Sequence, residues 1–386
     1  MTAPLAYPMF RPKPQWRNGR RDRLKICCPQ GRAGSSPAWG TISTQPVLSV
    51  QERPRLKLDR EIEALIHWSS SSTATPLWHL TPEAAREEYR RTLAKTEINP
   101  PAIGEVSDLA VAGPAGKMRL RHYLPAERGR EAEAAILFMH GGGCVIGGLD
   151  THDIFCRTLC HDTRASVFAL DYRLAPEHEF PAAVEDTVAA LTWLSREAAA
   201  LGLDAERIAV AGDSAGAGLA AVALHETKGH LAAPVRAQAL IYPALDLRGR
   251  LPSRTELAKQ FPIPHDMIQW FFNHYFGIAW PFADPRAIPA LYEDYAGLPP
   301  ALIITAGHDP LRDEGADYAQ ALAAAGVPVD YHCREGSIHG FMNMGRVLRG
   351  AHGWGRALLS RWLAERLHAA PPAGHNPTPF AAAGAG

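Results

Sequence analysis

Residues 207–218 read RIAVAGDSAGAG. The first half, RIAVAG, is an apolar, partly β-branched run and reads as a strand. The second half opens SAGAGLAAVALHET, a small-residue stretch that reads as a helix. Between them lies Gly212-Asp213-Ser214-Ala215-Gly216, a G-x-S-x-G pattern at a strand-to-helix junction. In a nucleophile elbow, serine occupies the strained turn at such a junction and exposes its hydroxyl. Glycines on either side let neighbouring backbone approach, and the helix start offers unpaired N–H groups at a positive dipole end. A rival reading is the dinucleotide fingerprint G-x-G-x-x-A, matched by Gly216-Ala217-Gly218-Leu219-Ala220-Ala221. Its first glycine would fall inside the helix, and Tyr242-Pro243, ending the next strand, offers no acid for a ribose.

Working outward, strands and helices alternate. Strand AILFMH is followed by a helix near 151–162, and SVFALDY by a helix over 182–199. After the elbow come strand AQALIYPAL, strand ALIITAG, helix EGADYAQALAAAG, strand PVDYHCRE and a final helix over about 350–367. This alternation predicts an α/β fold with a mostly parallel sheet covered by helices on both faces. Right-handed crossovers then gather the strand C-termini, and with them the function, at one edge. SDLAVAG and KMRLRHYLP, joined through Gly113-Pro114-Ala115-Gly116, predict a hairpin ahead of this region. Two helices come earlier still, over 56–68 and after the Thr81-Pro82-Glu83 start signal. The stretch 248–298 breaks the alternation, is rich in Pro and aromatics, and reads as an insertion with a helix at MIQWFFNHYF, 267–276.

A serine nucleophile needs a base and a group to orient it, in the chain order Ser, acid, His on this architecture. Asp309 follows strand ALIIT, and His339 lies in the loop after the last strand. Both would project from the same edge as Ser214. Asp313, the rival acid, falls inside the next helix; His308 neighbours the acid, and His332 lies within a strand. A second glycine-rich stretch, MHGGGCVIGG at 139–148, ends the strand AAILFM. Gly142 and Gly143 can turn their N–H groups inward, and Ala215 supplies a third donor for the oxyanion of a tetrahedral intermediate. No Gly-Lys-Ser/Thr follows, so this is no phosphate loop of the Walker kind.

The chain has 386 residues, 46% of them hydrophobic and 21% charged, enough for a large packed core. Formal net charge is zero. Residues 1–50 hold eight of the 40 Lys/Arg but only one acid, so the remainder is mildly acidic, which argues against a nucleic-acid partner. Residues 1–55 read as a flexible basic extension; GRRDRLK at 19–25 resembles an export signal but lacks the apolar stretch such a signal needs. The segment 57–97 is expected to form cap helices, 98–368 the catalytic domain, and 369–386 a disordered tail. No stretch reaches the ~18 apolar residues of a membrane span. The six cysteines, at 27, 28, 144, 156, 160 and 333, match no zinc spacing and suggest buried, reduced thiols in a cytosolic protein.

The ordered set HGGG (140–143), DYRLAPEHEFPAAVEDT (171–187), GDSAG (212–216), DPLRDEG (309–315) and HGF (339–341) resembles the hormone-sensitive lipase family of α/β-hydrolases over about 57–367. The resemblance implies an eight-stranded sheet, and a cap built from the N-terminal helices and the 248–298 insertion. It implies Ser214, Asp309 and His339 as catalytic triad, Gly142, Gly143 and Ala215 as oxyanion hole, and His140 as a residue that holds the loop by hydrogen bonding. It also implies a cytoplasmic, cofactor-free and metal-free homodimer pairing through the outer strand near 328–333. Cys144 stands where an aromatic often follows HGGG in the family, and AGLA continues the elbow where GNLA is common. Arg173, Glu177 and Asp186 are expected to hold loops beneath the oxyanion hole. Trp270, Phe271, Phe272, Tyr275 and Phe276 are expected to line an acyl pocket, to pack the insertion on the core, or both. The expected activity is that of a serine carboxylesterase acting on short- to medium-chain esters. Amide, lactone or peptide hydrolysis by the same triad, and a non-catalytic ligand receptor on this scaffold, are the alternatives.

Overall fold

A computed structural model describes residues 56–70, 73–127 and 133–369; the expected basic extension and the tail beyond 369 lie outside the described residues. The strands are β1 (Glu105–Gly113), β2 (Gly116–Leu124), β3 (Glu133–Met139), β4 (Ser166–Asp171), β5 (Leu203–Asp213), β6 (Ala237–Ile241), β7 (Ala301–His308) and β8 (Val329–Ile338). They form one sheet in the order β1-β2-β4-β3-β5-β6-β7-β8. β1 and β2 form the expected antiparallel hairpin, and β2 joins β4 antiparallel. From β4 to β8 every pairing is parallel.

The central strands are apolar on both faces because both faces are covered. Ala135, Leu137 and Met139 of β3 enter one core and Ala134, Ile136 and Phe138 the other. The period-2 alternation of the pleat makes this division. The helices are α1 (Arg60–Ser70), α2 (Pro82–Thr96), α3 (Asp153–Thr163), α4 (Ala182–Glu197), α5 (Ala215–Glu226), α6 (Pro252–Glu256), α7 (His265–Phe276), α8 (Arg312–Ala324) and α9 (Arg349–His368). α4, α5 and α8 fill the first core; α3 and α9, with Ile62 of α1, fill the second. The Thr81-Pro82 signal works as read: the Thr81 hydroxyl accepts from Ala84 N at 3.4 Å at the start of α2. Met267, Ile268, Phe271 and Tyr275 of α7 join the α5-side core, so the 248–298 insertion packs on the sheet's helical layer.

Two strand ends differ from the sequence reading. β6 stops at Ile241 and not at Leu245, because Tyr242 takes a positive φ of 35° and Pro243 has no N–H for the ladder. β8 runs to Ile338 and not to Glu335. Ala306 pairs with Arg334, but after a register shift His308 pairs with Ile338. The irregularity is tight: a Cβ at Gly307 would lie 1.9 Å from the Glu335 carbonyl oxygen, so only glycine fits there. Its consequence is functional, since Asp309 and His339, the next residue of each strand, leave the sheet side by side.

Candidate active site

The site is built where β3, β5, β7 and β8 end. Met139 pairs with Gly212, which sets the HGGG loop beside the elbow. Ser214 sits between β5 and α5 at φ 55° and ψ −122°, the strained turn predicted from the pattern. Its own backbone pins it. Ser214 N donates to Ile241 O at 2.9 Å, and Ser214 O accepts from Ala217, Gly218 and Ala244 at 3.1–3.2 Å.

The three expected side chains meet in one hydrogen-bonded line. His339 Nε2 lies 2.9 Å from Ser214 Oγ, and His339 Nδ1 lies 2.8 Å from Asp309 Oδ2. Asp309 is fully buried, and its other oxygen accepts from Leu311 N at 2.8 Å. With Asp309 as acceptor on Nδ1, the imidazole presents Nε2 to the serine as a proton acceptor. Asp313 is engaged elsewhere, accepting from Ser253 N of α6 at 2.9 Å. His332 stands edge-on to Trp354, and His308 bonds the Leu56 backbone.

The glycine loop turns at Gly142 and Gly143, both at positive φ (116° and 63°). The N–H groups of Gly142, Gly143 and Ala215 have no hydrogen-bond acceptor among the described residues, and all three residues line the cavity that holds Ser214. His140 braces the loop. Its Nδ1 is 2.8 Å from Gly141 O, its ring stacks on Tyr172 at 4.2 Å, and the Tyr172 hydroxyl donates to His140 O at 2.7 Å. Burial, reinforced by His152, pushes the His140 imidazole down to about 3, so it stays neutral. Of the DYRLAPEHEF residues, Arg173 grips Asp186 through Nε at 2.9–3.0 Å. Glu177 instead receives two bonds from Arg86 of α2, at 2.7 and 2.6 Å. The hydrogen-bonded guanidinium lowers the Glu177 carboxyl to about 2.

Several contributors escaped the sequence reading. Asp213, the x before the serine, is buried and accepts from Gly141 N at 2.7 Å. His152 Nε2 lies 3.2 Å from the same carboxylate, and Asn343 Nδ2 donates to it at 3.3 Å. Burial alone would raise this carboxyl, but the contact with His152 and the hydrogen bond from Gly141 N–H hold it below its usual value. Arg86 also donates to Val145 O and Ala175 O, both at 2.8 Å, so α2 clamps the loop from outside. The GDSAG pattern contains Asp213 but says nothing of its partner; no local signal marks Arg86.

Above the site lies a cavity of about 780 Å³. Trp78 and Tyr89 from the N-terminal segment and Met267, Phe271, Phe272 and Tyr275 from the insertion line it. The α7 aromatics divide their work: Phe276 packs on Phe180 and Trp280, and Trp270 packs on His274 and Phe271. Cys144 lines the cavity too, and burial pushes its thiol up to about 12, which keeps it protonated and weakly nucleophilic. Among the described residues no cluster of metal-ligating side chains occurs, and no helix is long and apolar enough to cross a membrane.

Comparison with known proteins agrees with this construction. A family model described as the alpha/beta hydrolase fold matches residues 136–343. The chain is 40% identical to carboxylic ester hydrolase LipN of Mycobacterium tuberculosis over 283 residues, 72% of this chain and 74% of that protein. It is 36% identical to ethyl acetate hydrolase of Pseudomonas putida over 286 residues, 73% of this chain and 90% of that one. Among solved structures, the hyperthermophilic esterase of Pyrobaculum calidifontis superimposes with a TM-score of 0.73 at 36% identity, covering 80% of this chain and 99% of the other. The chain belongs to the hormone-sensitive-lipase-like carboxylic ester hydrolases of the α/β-hydrolase fold.

Proposed function

We propose that Ser214, Asp309 and His339 carry out ester hydrolysis through an acyl-enzyme, on esters with short to medium acyl chains. The observation that carries this reading is the continuous line Ser214 Oγ, His339 Nε2, His339 Nδ1, Asp309 Oδ2, with both spacings below 3 Å. As Oγ attacks the ester carbonyl, its proton passes to Nε2. Asp309 holds Nδ1–H and stabilises the imidazolium that forms. The carbonyl oxygen becomes an oxyanion facing the N–H groups of Gly142, Gly143 and Ala215, each worth about 2.7–4 kcal/mol in comparable sites. Collapse breaks the ester C–O bond, and Nε2–H gives its proton to the departing alcohol. Water then attacks the acyl-enzyme, loses its proton to Nε2, and the acid leaves as Ser214 recovers its hydrogen. Each step uses these side chains and water alone.

The preference for short to medium chains rests on a cavity of about 780 Å³ roofed by both cap segments. We read 57–97 and 248–298 as one functional cap, because residues of both line that space. A cytoplasmic setting is supported by the free, buried thiols of Cys144, Cys156 and Cys160. Pairing of two copies through β8 is supported by its edge position and its exposed Tyr331. Turnover of p-nitrophenyl esters from acetate to laurate tests the central reading. Activity is expected to peak at short or medium chains and to vanish in Ser214→Ala; full activity in that variant, or none toward any ester in the wild type, would overturn it. Matched anilides separate esterase from amidase.

A further inference from the structure

Arg254 lies in the wall of the catalytic cavity, with its side chain only 8% exposed. Its guanidinium is unusual in what it lacks. Nε and Nη2 are buried with no hydrogen-bond partner among the described residues. Nη2 lies 3.1 Å from Glu314 Oε1, yet that oxygen also makes no hydrogen bond, so the two form a charge contact of poor directionality. The other Glu314 oxygen is occupied, accepting from Leu245 N and Asp246 N at 2.5 and 2.7 Å. The guanidinium also lies over the Phe272 ring, 5.9 Å from its centroid.

This arrangement shares the catalytic cavity with Ser214 and His339 and is tied down by its neighbour. Ser253, one residue earlier, donates from Oγ to Pro310 O at 2.8 Å and from N to Asp313. Arg254 is thereby fixed against the segment that follows Asp309, and Leu311 of that segment lines the same cavity as Arg254, Ser214 and His339. Lys259, exposed and without an ion pair among the described residues, lines the cavity five residues further on. Arg286, the third cation on this side, is already bound to Asp284 at 2.8 Å. Glu88 and Lys95 of α2 supply one charge of each sign elsewhere in the lining, and Asp213, bonded to Gly141 N, adds a buried carboxylate beside Ser214. Burial, opposed by Arg254, raises the Glu314 carboxyl above its usual range.

A buried guanidinium whose one charge contact is off-line and whose Nε and Nη2 make no hydrogen bond is under-satisfied, and a purely apolar ester would leave it so. Resting on the esterase reading above, we infer that the α6 wall is a carboxylate-accepting subsite. The preferred substrates are esters carrying a second, ionised carboxyl group at the end of the acyl or the alcohol chain. Arg254 supplies the charge-assisted hydrogen bonds to that carboxylate, and Lys259 adds a second positive charge at the rim.

The test compares kcat/KM, by pH-stat, for monoethyl esters of four- to eight-carbon dicarboxylic acids with ethyl esters of monocarboxylic acids of equal length. Acetate esters of hydroxy acids, paired with acetates of simple alcohols, cover the alcohol side. The wild type is expected to process the charged ester of best-fitting length at least as well as its uncharged partner. In Arg254→Met the charged-to-uncharged ratio is expected to fall about tenfold or more, and in Arg254→Lys by less. The ratio is independent of the fraction of folded enzyme. If Arg254→Met does not fold, the wild-type ratio and Arg254→Lys decide. Rejection of the carboxylate by the wild type at every length on both sides, or a ratio that Arg254→Met leaves unchanged, makes the Arg254–Glu314 pair purely structural and overturns the inference. Failure on every ester, charged or not, strikes the esterase reading itself.

Discussion

His339 is held at both ring nitrogens, and the consequences of loosening either are calculable. Asp309→Asn replaces the acceptor on Nδ1 and favours the wrong tautomer, so kcat is expected to fall about 10⁴-fold with little change in fold. Steady-state kinetics beside a circular dichroism melt checks this; a near-normal kcat would contradict it. Asp213 acts one step removed. Asp213→Ala deprives the buried Gly141 N–H of its acceptor, at about 1–3 kcal/mol, and leaves His152 and Asn343 without their shared anchor. The expected result is a 10- to 100-fold loss in kcat, larger than any change in KM, because the oxyanion role proposed for the loop is exerted in the transition state. Ser214, Asp309 and His339 were legible because each follows a strand in the chemical order the reaction requires. Asp213 was not, since its role depends on Met139 pairing with Gly212, a register no local pattern encodes.

At the scale of elements, the elbow works because α5 approaches β3 almost without clearance. A Cβ at Gly216 would lie 2.1 Å from Met139 O. Gly216→Ala must push α5 from the sheet, costing about 1–3 kcal/mol of strain and displacing Ser214. A lower Tm together with a disproportionate loss of activity is expected. Helix α2 is coupled to the glycine-rich loop through Arg86. Arg86→Ala leaves Val145 O and Ala175 O short of a donor and frees Glu177, and should lower kcat/KM by about tenfold with the fold intact. Unchanged kinetics would show that the clamp is idle. The Thr81-Pro82 start of α2 could be read locally, because capping is local chemistry. The target of Arg86, 59 residues away, could not. The ends of β6 and β8 escaped for a similar reason: a positive φ at Tyr242 and a register shift opposite Gly307 leave no trace in hydropathy.

At the scale of the molecule, the alternation of apolar strands and helices was enough to give the layered sheet. The proposed division of a cap between two distant segments rests on the resemblance and not on periodicity. Burial leaves one broad thermodynamic signature. Glu97, 7% exposed at the end of α2, has its carboxyl raised by burial from 4.5 to about 7. Between those values the folded chain keeps a proton that the unfolded chain has released. The stability from this group is complete below 4.5 and is lost as pH rises to about 7. Glu97→Gln should therefore flatten the decline of Tm between pH 5 and pH 8; parallel declines in variant and wild type would contradict the assignment. The central claim concerns one atom, Ser214 Oγ, in the intact protein. Intact-mass spectrometry after reaction with a p-nitrophenyl phosphonate tests it most directly. One phosphonyl group per chain is expected, mapped to Ser214, with loss of activity in proportion. Full labelling with activity retained, or inactivation with the adduct on another residue, would contradict it.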